Sequence, residues 1–268
     1  MAKHHRSMPR ALANPGTARA SRSRRTTGGA LWFRVAVVGV LLAAAVSGGI
    51  MVASARTSRS SHVEREVAAL LAGIPQEGQT LGSPTAPVTL QLFAELEDYS
   101  SDGWFLRNLP SIISKLVRTN LLKIEYRAFK TNTIASETFV KQQAAALAAG
   151  AQNKLWNYAC TFYYEQGKEY SPYVTETYLD NIARQVPGLS SKRWNIDRNS
   201  DQRIEQVVEE DQQGRAAGIH VTPAYRLGRT GGPLTNFTGS EGTTFAGQVH
   251  RTTWASAQDI AEAITKLR

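Results

Sequence analysis

The sequence predicts an α/β domain whose sheet is interrupted by a helical insertion, carried behind one N-terminal transmembrane helix. Three observations predict this. Residues 35–53 form an uncharged apolar run of 19 residues, long enough to cross ~30 Å of hydrocarbon at ~1.5 Å per residue. Short β-rich runs stand at 88–93, 122–129 and 221–227. Between the last two, about ninety residues (131–218) carry helical spacing without a strand signal.

The N-terminal region reads as an address. Residues 1–30 are rich in Arg, Ser, Ala and Gly and bury too little apolar surface to order themselves. The anchor is placed at 31–55, with Trp32 and Arg34 at its interface. Eight Lys or Arg precede the run, from Lys3 to Arg34, so the positive-inside rule keeps the tail in the cytoplasm and the domain extracytoplasmic. A cleaved signal peptide is the rival reading, since Ala53-Ser54-Ala55 resembles a cleavage site and Arg24-Arg25 is a twin-arginine pair. The long basic region and the length of the run favour the single-pass anchor. Residues 56–79 form a polar spacer and a lead-in helix, with helical spacing at 63–74.

The net charge of +9 belongs to this address. Residues 1–63 hold ten of the 31 Lys and Arg and no acid; the other 205 residues hold 21 basic against 22 acidic side chains. The exported domain is near neutral, which argues against a nucleic-acid partner.

Within residues 80–268, turn chemistry at Gly82-Ser83-Pro84 leads into the first strand, 88–93. A polar stretch follows. Helical spacing then runs over 104–117, where Pro110 kinks or restarts the helix. The second strand alternates over 122–129. Helices are expected at 136–166 (long or broken), 173–186 and 201–218. A strand over 221–227 contains Pro223. Residues 237–250 are Gly- and Thr-rich and are expected to include an edge strand. Residues 257–267 form an amphipathic terminal helix capped by Ser256.

Chemistry-bearing residues are few. One cysteine, Cys160, permits neither an internal disulfide nor a multi-cysteine metal site. It shares a helical face with Trp156, Tyr163 and Tyr164, the setting of an inert core thiol. His220 reads as a loop histidine, and no paired metal spacing occurs. Gly231-Gly232-Pro233 is a turn, and no phosphate-loop pattern is present. Asn236-Phe237-Thr238 matches a weak glycosylation sequon. No cofactor and no metal is expected.

An ordered set of segments resembles the DsbA-like thioredoxin-fold proteins. Gly82 to Leu90 is similar to that family's entry strand, and Phe93-Ala94-Glu95-Leu96 to the segment leading to its active site. Leu109 to Ile113 and Tyr126 to Phe129 resemble the following helix and strand. Ala144 to Gln166 resembles the helical insertion, and Gly218 to Tyr225 the loop carrying a cis-proline, at Thr222-Pro223. The resemblance implies a thioredoxin-like fold over 80–268.

It also implies a departure. Where the family carries its C-P-x-C pair, this chain places Asp98-Tyr99-Ser100-Ser101, with Asp98 at the attacking and Ser101 at the resolving position. Leu92 stands where an acid often lies six residues earlier. Asp98 and Ser101 then read as helix-capping groups. Thr222, Pro223 and Trp104 are the residues assigned to binding a partner. The expected function is non-redox binding of an exported polypeptide or envelope partner, in a scaffold or chaperone-like role. Two enzyme alternatives stand beside it: a disulfide oxidoreductase, and a glutathione-dependent transferase using Ser101.

Overall fold

The computed structural model describes residues 59–245 and 248–267, with the backbone alone for 241–253. The predicted anchor at 31–55 lies outside the described residues, and no helix among those described is long and apolar enough to cross a membrane.

The lead-in helix α1 spans residues 59–71 and turns Val63, Val67 and Leu71 inward at helical spacing. A short hairpin follows, β1 (Gln76–Glu77) and β2 (Thr80–Leu81), which periodicity did not reveal because each strand is two residues long. The central strand β3 (Val88–Ala94) is buried on both faces, and β4 (Leu122–Ala128) alternates. Its Leu122, Ile124, Tyr126 and Ala128 enter the core. On its other face Glu125 pairs with Lys123 at 3.4 Å and Arg127 at 3.1 Å. β3 and β4 run parallel, joined by α2 (Tyr99–Arg107), α3 (Leu109–Ile112) and a π-helical turn, Ile113–Val117. Pro110 stands in the first turn of α3, where its missing N–H costs no helical hydrogen bond. It restarts the helix.

The helical insertion runs from α4 (Ser136–Gly150) through α5 (Leu155–Tyr164), α6 (Glu176–Arg184) and α7 (Ser191–Arg198) to α8 (Asp201–Ala216). The chain then returns as β5 (Ala224–Arg229), antiparallel to β3, and β6 (Thr235–Phe237) at the edge. The six strands lie in the order β1-β2-β4-β3-β5-β6.

Two expectations need correction here. The edge strand of the main sheet is the three-residue β6, and residues 237–250 instead feed a separate hairpin, β7 (Glu241–Phe245) with β8 (Gln248–Trp254). Pro223 lies before its strand, not inside it, in keeping with its missing donor. The terminal helix α9 (Ala257–Leu267) begins as expected: Ser256 Oγ accepts from Asp259 N at 3.1 Å, and Asp259 accepts from Ser256 N at 2.9 Å. This reciprocal pair satisfies two donors at once.

Candidate functional site

The site gathers where β3 ends, the edge at which loops of a parallel pair converge. Asp98 caps α2 with extended backbone, φ −82° and ψ 121°. Its carboxylate accepts from Ser100 N at 3.3 Å and Ser101 N at 2.8 Å. Three side chains complete its shell: Ser101 Oγ at 2.8 Å, Asn132 Nδ2 at 2.6 Å and Thr222 Oγ1 at 2.8 Å. Thr222 belongs to the loop before β5, and its bond to Pro223 is cis. The first turn of α2 and the Pro223 loop are thus brought into direct contact.

A second buried carboxylate, Glu95, lies at the end of the same strand. It accepts from the backbone N–H groups of Thr131, Asn132 and Thr133 at 2.7, 2.5 and 2.8 Å, and from Thr131 Oγ1 at 2.6 Å. Thr131 Oγ1 also lies 2.6 Å from Thr222 Oγ1, so two hydroxyls stand in contact between the two carboxylates. The sequence reading passed over Glu95 as a lead-in residue. The signal was available: an acid directly after the all-apolar end of a central strand must be buried, and a buried charge needs donors.

Burial raises the pKa of Asp98; the hydrogen bonds from Ser101 and Thr222 oppose this, and the charge of Glu95 adds to it. Glu97 is also raised, first by burial. Burial pushes the Asp102 carboxyl up to about 7, against the pull of Arg107. The same desolvation pushes the Cys160 thiol up to about 12. Cys160 sits on α5 and is buried.

Several expected roles change. Ser101 does not cap the helix; its hydroxyl donates to Asp98, and it is fully buried. Ser100 Oγ accepts from Trp254 Nε1 at 3.1 Å, and Tyr99 binds Gly167 O at 3.1 Å. Trp104, assigned to partner binding, is a core residue: its Nε1 donates to Ala255 O at 2.9 Å and its ring meets Phe105 and Tyr225. Thr222 and Pro223 are buried as well, because the Thr222 hydroxyl turns inward to Asp98. The surface of this face comes from their neighbours, Val221, Ile134 and Tyr170, which are 50%, 78% and 68% exposed. Leu92 is fully buried. Among the described residues no group of His, Cys, Asp and Glu converges as a metal site.

A helix start facing a cis-proline loop across the end of a parallel strand pair is the arrangement of the thioredoxin fold, and the insertion between β4 and β5 makes it the DsbA-like version. The chain has this fold. It is similar to the crystal structure of α-DsbA1 from Wolbachia pipientis, with 18% identity over 74% of this chain and 92% of that one, TM-score 0.54. It is similar to oxidised BdbD from Bacillus subtilis, with 15% identity over 72% and 96%, TM-score 0.55. A thioredoxin-like oxidoreductase from Silicibacter pomeroyi matches at 16% identity over 73% and 92%, TM-score 0.51. No family model matches the chain, and no curated protein does.

Proposed function

We propose that this protein is a membrane-anchored, extracytoplasmic thioredoxin-like protein that holds an exported polypeptide or an envelope partner without redox chemistry. The supporting observation is the Asp98 carboxylate at the start of α2, bonded to Ser101 and to the loop of Pro223. Thiol–disulfide exchange needs a thiolate that attacks a disulfide sulfur through a mixed disulfide. The positive end of a helix stabilises such a thiolate; here it stabilises a carboxylate, which cannot form a reversible bond to sulfur. The one thiol, Cys160, is buried on α5. Around this closed site, Val221, Ile134 and Tyr170 leave apolar surface exposed for a partner. An anchor at 31–55 raises the effective concentration of that surface at the membrane.

Photo-crosslinking from Val221 in intact cells tests the binding role: adducts with exported polypeptides or envelope proteins are expected. A dithiol-oxidation assay on the same protein, with Cys160→Ala as control, is expected to show no turnover in either form. Sustained turnover overturns the non-redox reading. Retention of the chain in carbonate-washed membranes, with its C-terminal domain open to protease added from outside, checks anchor and orientation.

A further inference from the structure

We infer that a cleft beside the start of α2 takes a Lys or Arg side chain together with an adjacent apolar side chain from an extended polypeptide. This deepens the binding function proposed above and rests on it. The cleft, about 270 Å³, lies between Glu97, the loop 132–135, Thr138 and the loop 169–172. It falls near the lower limit for small-molecule sites, ~300 Å³, and suits one or two side chains better than a large cofactor.

The walls are apolar and open. Ile134 and Tyr170 are the two most exposed large hydrophobic residues among those described, and they face one cleft from different loops. Tyr99 fixes the second loop: its hydroxyl donates to Gly167 O at 3.1 Å and accepts from Glu169 N at 2.8 Å. Tyr170 itself is held at φ 58°, a left-handed backbone that a bulky side chain rarely adopts. These contacts place an aromatic ring at the rim where solvation alone has no use for it.

The interior is acidic. Glu97 and Glu169 line the cleft. Asn132, another lining residue, bonds Asp98, and its backbone N–H bonds Glu95. Glu97 accepts only from neutral groups, Thr133 Oγ1 at 2.9 Å and Gln142 Nε2 at 3.2 Å. Among the described residues no Lys or Arg forms an ion pair with Glu95, Glu97 or Asp98. Among the described residues Glu97 thus stands at the cleft without a cation of its own, with Glu95 and Asp98 buried behind it. A cationic head reaching Glu97 supplies the missing charge, while its methylene stem and an apolar neighbour cover Ile134 and the Tyr170 ring. An acidic or purely polar segment loses one or both terms.

The test uses the full-length chain in mild detergent and three fluorescently labelled, capped octapeptides, with Arg-Leu, Glu-Leu or Arg-Ser at the centre. Binding is read by fluorescence anisotropy. The Arg-Leu peptide is expected to bind tightest and to weaken with salt. Glu97→Gln and Ile134→Ser are each expected to weaken it about fivefold. Tyr170→Ser, like Ile134→Ser, changes an exposed position with little part in the core, and its effect is expected to match. Unchanged melting temperatures identify a loss of binding as local. Equal affinity for the Glu-Leu peptide overturns the inference. If peptides bind but none of the three variants weakens them, the binding function stands and this cleft is the wrong place. If no peptide binds, the inference is overturned, and the crosslinking from Val221 decides the binding function.

Discussion

Asp98 accepts five hydrogen bonds, from Ser100 N, Ser101 N and Oγ, Asn132 Nδ2 and Thr222 Oγ1. Asp98→Ala strands these donors and removes the cap, and urea unfolding is expected to show a loss of about 2–4 kcal/mol. Asp102 lacks such a shell: among the described residues its Oδ1 is buried without a hydrogen-bond partner. Its pKa is raised from 3.8 to about 7 by burial, so the folded state binds its proton more tightly than the unfolded chain does. The stabilisation is fully present below 3.8 and is lost as pH rises through about 7. Asp102→Asn is therefore expected to raise stability at pH 8 by about 1–2 kcal/mol, after discounting for partial exposure, and to leave it unchanged near pH 3. Thermal melts at the two pH values check this. Asp98 was legible as a cap because its role is local: a short acid directly before a helix. For Glu95 the sequence could show burial but not the donors, which stand thirty-six and more residues away at Thr131 to Thr133.

Helix α8 crosses the sheet at Gly214, where an added Cβ meets the Phe129 ring at 2.5 Å and Phe93 at 3.1 Å. Gly214→Ala gains up to ~1 kcal/mol of helix propensity but forces those rings apart at a cost of ~1–3 kcal/mol. A net loss in denaturant midpoint is expected. The strand at Leu122–Ala128 and the terminal helix were readable because each repeats one period, and Val88–Ala94 because it is a short β-rich run. Helix α7 was not. Its sequence, SKRWNIDR, buries only Trp194 and Arg198, and Ile196 points out at 65% exposure. Its start depends on the Ser190 cap, which accepts from Arg193 N at 3.4 Å, rather than on an apolar stripe. Helix α6 begins later than expected for a similar reason: the Thr175 cap, not the aromatic Tyr173, sets its first turn.

The insertion and the sheet are tied by Glu210 of α8. It accepts from Ala128 N at 2.8 Å, the last residue of β4, and from Gln79 and Gln206 at 2.8 and 2.9 Å. Trp156 Nε1 adds a bond to Gln79 O at 3.0 Å. Burial raises the pKa of Glu210 against these donors. Glu210→Ala leaves the strand-end N–H of Ala128 unpaired and takes one hydrogen bond from each of the Gln79 and Gln206 amides, and chemical denaturation is expected to show about 2–4 kcal/mol lost. Element order alone exposed the split α/β layout, since helices crowded between two strand signals have few other arrangements. That ordering could not show which polar groups cross between the layers, because a Glu in a charged helix reads as surface until its partner strand is in place.

The position of Cys160 extends beyond the site. With its sulfur sealed in α5 and its acidity suppressed to about 12, the one cysteine of the chain is shielded from thiol and disulfide reagents. Melting curves recorded with and without dithiothreitol are expected to superimpose. Such a domain folds without making or breaking a disulfide, so its shape is independent of the thiol chemistry of its surroundings.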